Sequence, residues 1–237
     1  MRFAATRLLL LAAVVVASLA LRTPLADART VDHAAGPLIG TAQVTDGDTV
    51  VIEGVRIRLH GIDAPESDQH CAQADGGSWA CGLEATRLMR HLTLNRVVTC
   101  NPRGLDKYGR VLAVCFAADI DINAEMVRQG LAWAFVRYSA DYVAIEQEAR
   151  DAKRGVFQAE TQTPWDLRAA RWQTAAADAP NGCAIKGNVN AKGERIYHMP
   201  WGTWYVNVRM DGDGKGKRWF CSEDEAMAAG WRPSRAR

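Results

Sequence analysis

Between Asp46 and Glu66 the chain sets the acids Asp46, Asp48, Asp63 and Glu66 beside the guanidinium groups of Arg56 and Arg58. Carboxylates are hard oxygen donors suited to a hard divalent cation. Arginine presents a planar fork of donors that matches phosphate oxygens. Together they suit one task well: holding a phosphodiester on a cation and two arginines while water attacks it. A second block, Asp106-Lys107-Tyr108-Gly109-Arg110, offers another fixed positive charge.

A phosphodiester anion repels incoming hydroxide. A pair of carboxylates leaves room on a cation of about 6–8 ligands for phosphate and water. Fixed arginines gain most as charge grows on the transition state. Glu66 can take a proton from water or orient it. Each piece alone has a plainer reading. Asp46-Gly47-Asp48 alone is a turn, Arg58 with Glu66 a surface ion pair, Arg56 a solvated strand residue, and Lys107-Tyr108-Gly109 a hairpin turn.

The elements that must carry these residues follow from pattern. Leu38 to Val44 is strand-like. Thr49 to Ile52 and Val55 to Leu59 read as a hairpin joined at Glu53-Gly54. Val55, Ile57 and Leu59 alternate with Arg56, Arg58 and His60, so period two sets the arginines opposite the core face. Gly61 fits a bend that re-aims Asp63 and Glu66. Cys71 to Gly82 reads as a loop, and Leu83 to Leu94 as a helix with an apolar face on Leu83, Leu88 and Leu92. Val97 to Cys100 and Val111 to Phe116 are strands joined by a loop over 101–110. Ile122 to Gln129 is a short helix closed by Gly130. Leu131 to Val136 is a strand, and Ala140 to Arg154 a helix ended by Gly155. Thr163 and Pro164 open a last helix running to about Ala177. The pattern predicts an α+β, mainly β chain: a small five-stranded barrel of OB type with packed helices.

Composition divides the chain further. Arg2 and Arg7 precede an apolar run from Leu8 to Leu21, short for a membrane span of about 20 residues. Ala26-Asp27-Ala28 is a cleavage signal, so residues 1–28 read as a signal peptide cut after Ala28, with an uncleaved anchor as the alternative. After that cut no stable membrane span is expected, and the chain is secreted or periplasmic. The remainder carries 26 basic and 26 acidic residues, net zero, so phosphate binding must come from locally placed arginines. Residues 38–160 read as the barrel domain, 161–180 as helix and linker, and 181–237 as a small aromatic-rich module. That module holds four of the eight tryptophans and two of the six cysteines, the dense packing and staple that so small a unit needs.

An even number of cysteines in an exported chain implies disulfides. Local pairing favours Cys71–Cys81, Cys100–Cys115 and Cys183–Cys221. A zinc site on His70, Cys71, Cys81 and His91 is the rival, without the usual C-x₂-C spacing. Asp211-Gly212-Asp213-Gly214 hints at a calcium loop, but its spacing lacks the later acids, and a hairpin turn is preferred.

Four blocks in order resemble the staphylococcal nuclease (thermonuclease) family: Asp46-Gly47-Asp48-Thr49, Arg58 through Glu66 (RLHGIDAPE), Asp106 through Arg110, and Asn123 through Ala132 (NAEMVRQGLA). The resemblance covers roughly residues 38–160. It implies an OB-fold barrel and Ca²⁺-dependent endonuclease cleavage of DNA and RNA that leaves 3′-phosphate ends. Asp48, Asp63 and the Ala64 carbonyl match calcium ligands, and Asp46 an acid just behind them. Arg58 and Arg110 match phosphate-clamping arginines, and Glu66 the proposed general base. Lys107 and Tyr138 match positions near the nucleotide, and Val136 stands where the family can carry a stacking tyrosine. The tail from Cys183 resembles a module appended to some secreted bacterial nucleases. A monomer is expected. Two rivals stand beside the enzyme: a noncatalytic nucleic-acid-binding barrel, and a cell-envelope interaction protein.

Overall fold

The computed structural model describes residues 36–211 and 216–234. The signal peptide expected over residues 1–28, with its expected cut after Ala28, and most of the hairpin turn expected at Asp211-Gly212-Asp213-Gly214 fall outside the described residues.

The barrel begins with β1 (Leu38–Thr41), β2 (Gln43–Val44), β3 (Thr49–Ile52), β4 (Val55–Leu59) and β5 (Ile62–Asp63). A small hairpin of β6 (Cys71–Ala72) and β7 (Ser78–Trp79) leads into α1 (Cys81–Thr93). Then come β8 (Val97–Leu105), β9 (Val111–Ala117), β10 (Ile120–Asp121), α2 (Ile122–Arg128), β11 (Trp133–Ala134) and α3 (Val143–Asp151). The main sheet runs β1-β8-β9-β4-β3-β2, with β10 on β9. Its two end strands, β1 and β2, are successive pieces of one stretch interrupted at Ala42. The sheet therefore returns on itself as a nearly closed barrel, which removes exposed edges. The fold is α+β, mainly β, and the barrel is of OB type.

The β3–β4 hairpin has the bounds that period two predicts, because Glu53 and Gly54 both take positive φ, 49° and 78°, in a two-residue turn. Ile57 and Leu59 are buried. Gly61, at φ 77°, makes the bend expected of it. Several expectations need correcting. The stretch from Cys71 to Gly82, read as a loop, holds the β6–β7 hairpin. Helix α1 starts at Cys81 and buries Cys81, Ala85, Met89 and Leu92, while Leu83 is exposed. Cys81, Ala85, Met89 and Leu92 follow one another at helical spacing on the core face, which leaves Leu83 off that stripe. Strand β8 continues through Leu105, since β9 supplies partners along that length, so the loop shrinks to the turn at 106–110. The strand read over 131–136 is only Trp133–Ala134, paired with β5.

All six cysteines are bridged as Cys71–Cys81, Cys100–Cys115 and Cys183–Cys221. This removes the zinc alternative, whose thiolates are consumed. Among the described residues no helix is long and apolar enough to cross a membrane.

Helix α4 (Pro164–Asp178) carries Thr163 as N-cap, whose hydroxyl accepts from the Asp166 amide at 3.3 Å. It leads to the tail sheet of β12 (Ile185–Val189), β13 (Arg195–His198), β14 (Lys217–Phe220) and β15 (Arg232–Pro233), in the order β14-β12-β13-β15, with α5 (Glu223–Ala228) before its last strand. Trp165 of α4 packs with Trp133, Val156 and the Cys71–Cys81 bridge, while Trp172 packs on Ile185, Tyr197 and Phe220. One helix thus joins the two cores.

Asn123 ties α2 to the barrel. Fully buried, it accepts from the Cys115 amide at 3.1 Å and donates to the carbonyls of His60 at 2.9 Å and Ala113 at 3.2 Å. An Asn123→Ala change leaves buried backbone groups unpaired, each costing about 1–3 kcal/mol. We expect roughly 2–4 kcal/mol of lost stability, read from the midpoint of urea unfolding.

Candidate active site

Five barrel segments and one helix converge on a single region. Asp46 and Asp48 lie in the turn between β2 and β3. Gly47 between them lies against α1: a Cβ there would fall 2.8 Å from those of Ala64 and Ala85. Arg58 pairs across the hairpin with Thr49, and the Leu59 amide donates to the Asp48 carbonyl at 2.8 Å. The Gly61 bend then brings β5 and Asp63 back toward the same turn.

Arg58 joins the acids. Its Nη1 donates to Asp48 Oδ1 at 2.8 Å and its Nη2 to Asp63 Oδ1 at 2.7 Å. Asp48 also accepts from the Thr49 hydroxyl at 3.0 Å and the Ala64 amide at 3.1 Å. Asp48 and Asp63 are both buried. Burial pushes the Asp48 carboxyl up, but the Arg58 charge and the Ala64 amide outweigh it and hold it below the usual range. Asp46 accepts from the Asp48 amide at 3.2 Å. Burial, then the Asp48 charge, raises its pKa to about 7.

Glu66 follows Pro65, its amide donating to Gln69 Oε1 at 3.1 Å. The start of α1 abuts this turn: a Cβ on Gly82 would lie 1.8 Å from the Glu66 carbonyl oxygen. Burial raises the Glu66 pKa, and Arg168 opposes the rise. At the head of β9, Asp106 builds the second basic turn. Its carboxylate accepts from the amides of Tyr108 and Arg110 at 2.9 Å each and from Arg110 Nε at 2.6 Å.

Of these groups Asp46, Arg58, Glu66, Asp106 and Arg110 line a cleft of ≈ 650 Å³, and buried Asp48 and Asp63 do not. Arg58, Glu66, Arg110 and Tyr138 line its barrel side, and Tyr197, Trp201 and Trp204 its tail side. Lys107 also lines it, but its Nζ is bonded to Glu223 of α5, which accepts from the Tyr108 hydroxyl as well, at 2.8 Å. Arg56, read as solvated, is half-buried on the same cleft. Val136 is exposed, as is Tyr138, whose ring lies 5.1 Å from that of Phe135.

A smaller pocket of ≈ 40 Å³ is lined by Asp46, Asp48, Arg58, Ala64 and Glu66 among others. Its acids offer oxygen alone, the chemistry a hard divalent cation requires. Asp63 reaches this neighbourhood through Arg58 and lies outside that lining. Among the described residues no three His, Cys, Asp or Glu are gathered as a ready-made metal site.

Arg168 of α4 is the residue that sequence reading missed. It donates from Nη1 to Glu66 Oε1 at 2.7 Å and pairs with Asp63 through Nη2. Its signal was slight: Arg168 and Arg171, three apart on an Ala-rich helix, share one face.

Residues 56–159 match the family model described as staphylococcal nuclease homologue. An uncharacterized endonuclease of Escherichia coli is 38% identical over 134 residues, covering 53% of this chain and 81% of that protein. The micrococcal nuclease of Shigella flexneri is 32% identical over 157 residues, covering 59% and 82%. This chain belongs to the staphylococcal nuclease family. A succinoglycan biosynthesis protein, ExoI, of Rhizobium meliloti (strain 1021) is 36% identical over 144 residues, covering 58% of this chain and 74% of its own. The family-matched stretch includes Arg58, Asp63, Glu66 and Arg110 and ends before Arg168.

The raised Asp46 pKa sets a pH dependence. Its folded value of about 7 lies above the ordinary 3.8, so the folded state binds a proton more tightly than the unfolded one between those pH values. Stability from this group is present at low pH and lost as pH rises through 7. In chelator, Asp46→Asn should therefore raise the melting temperature at pH 8 and leave it nearly unchanged at pH 4, as checked by thermal denaturation at both.

Proposed function

We propose that this protein is an exported, calcium-dependent endonuclease of DNA and RNA that leaves 3′-phosphate ends. The coarser part, hydrolysis of phosphodiester bonds by an endonuclease, follows from family membership. The observation that carries the finer reading is the Arg58 guanidinium shared by buried Asp48 and Asp63, with Glu66 and Arg110 on the same cleft.

In this reading Asp48, Asp63 and the Ala64 carbonyl hold Ca²⁺, and Asp46 stands behind them. The ion, when bound, neutralises charge on a nonbridging phosphate oxygen. Arg58 and Arg110 grip the phosphate oxygens from two directions, and their donors strengthen as the transition state gains charge. Glu66 accepts the proton of the attacking water. Lys107 and Tyr138 border the nucleotide.

Three disulfides are consistent with an extracellular or periplasmic site, where oxidised cysteines persist. We further propose that residues 1–28 are removed, that 38–160 is the catalytic domain with 161–180 as helix and linker and 181–237 as an accessory module, and that the protein acts as a monomer.

Purified protein should degrade plasmid DNA and RNA with Ca²⁺ and stop with chelator. Arg58→Ala should lower turnover by about 10²–10³, and Glu66→Ala by about 10²–10⁴, with circular dichroism confirming the fold. Binding without cleavage by the unaltered protein would leave a noncatalytic barrel instead.

A further inference from the structure

The site's acids are held by arginines of two elements, and only one of these lies in the family-matched stretch. Arg58 reaches Asp48 and Asp63 from β4. From α4, Arg168 Nη1 donates to Glu66 Oε1 at 2.7 Å and to Asp63 Oδ1 at 3.3 Å, while Nη2 bonds Asp63 Oδ2. One guanidinium therefore spans two carboxylates that no direct hydrogen bond joins. Burial works against the charge on Arg168, but Asp63 and Glu66 more than restore it, and its pKa rises above the usual arginine range.

The helix carrying Arg168 is itself fixed. The Trp165 ring stacks on Phe135 with centroids 5.6 Å apart. Gln69 Nε2 donates to the Gln162 carbonyl at 2.7 Å, just before the helix. Arg171, one turn on, pairs with Asp68 at 3.0 Å. Arg168 is thus aimed from a rigid element, whereas Glu66 sits in a turn with several rotatable side-chain bonds. A planar fork fixes such a carboxylate in distance and direction, which an ammonium cannot do in the same way.

We propose that Arg168 is a positioning residue for phosphodiester cleavage: it locks Glu66 in a fixed relation to Asp63, so the reacting constellation is completed by a helix outside the family-matched domain. This rests on the function proposed above. Arg168 acts through the two carboxylates, and its loss should lower turnover rather than weaken substrate binding. Small misplacements of a reacting group commonly cost up to about 10²-fold.

The test uses the full mature protein, a fluorescent oligonucleotide and saturating Ca²⁺. Arg168→Ala should reduce kcat about 10- to 100-fold with KM changed less than about threefold. Arg168→Lys should recover little, because it lacks the fork. Arg171→Ala, which removes one of the three contacts holding the helix and touches neither acid, should cost far less kcat than Arg168→Ala. Should Arg168→Ala misfold by circular dichroism, Arg168→Met keeps the apolar stem and takes its place. Calorimetric Ca²⁺ titration without substrate provides the second readout, and affinity at least equal to the unaltered protein is expected. The proposal is overturned by a kcat loss under about fivefold, by an equal loss in Arg171→Ala, or by weakened Ca²⁺ binding that accounts for the whole loss. An inactive unaltered protein would instead defeat the functional reading itself.

Discussion

The Arg58 guanidinium between Asp48 and Asp63 is the contact on which the rest of the site depends. Burying a carboxylate is costly unless a charge and hydrogen bonds compensate it. Two buried side by side also repel each other. Arg58 answers both demands with one planar group, and the Thr49 hydroxyl and Ala64 amide satisfy further Asp48 lone pairs. Such an arrangement is weak evidence for stability, since a buried ion pair often does no better than apolar packing. Its value lies in keeping charged oxygens at fixed positions where water is scarce.

The barrel supplies that fixity through register. The hairpin pairing of Thr49 with Arg58 sets the distance from the Asp48 turn to the guanidinium, and the Gly61 bend returns Asp63 to it. A one-residue slip would carry Arg58 to the core face and Ile57 to the cleft. The nearly closed sheet and the buried Asn123, bonded to the His60 carbonyl beside the Gly61 bend, resist such a slip. The tail then adds a second wall, held by Glu223 against Lys107 and Tyr108. The OB face, open in a bare barrel, becomes a walled cleft.

Much of this was legible in the chain. Period two and a Glu53-Gly54 turn are local signals, and β3 and β4 fell where they pointed. Thr163 and Pro164 likewise marked the start of α4. The disulfides followed locality, because each joins elements that are neighbours in the fold. What could not be read was set by partners distant in sequence. Strand β8 lengthens because β9 pairs with it, and α1 buries Ala85 and Met89 against parts of the fold that its own sequence does not name. The structure brings Arg58, Glu66 and Arg110 to one cleft, with buried Asp63 joined to it through Arg58. Arg168 lies 105 residues from Asp63, and no local pattern reports a contact of that span.

Gly82 has a consequence for how this chain can change over generations. Its backbone is ordinary helix, so conformation alone would admit alanine, the best helix former. Space does not, because a methyl group there would overlap the Glu66 backbone at 1.8 Å. Helix propensity and the cleft's geometry thus select in opposite directions at one codon. A substitution that looks favourable on any helix scale would shift the very turn that carries the acid. Residue 82 is accordingly a place where neutral drift has no open route.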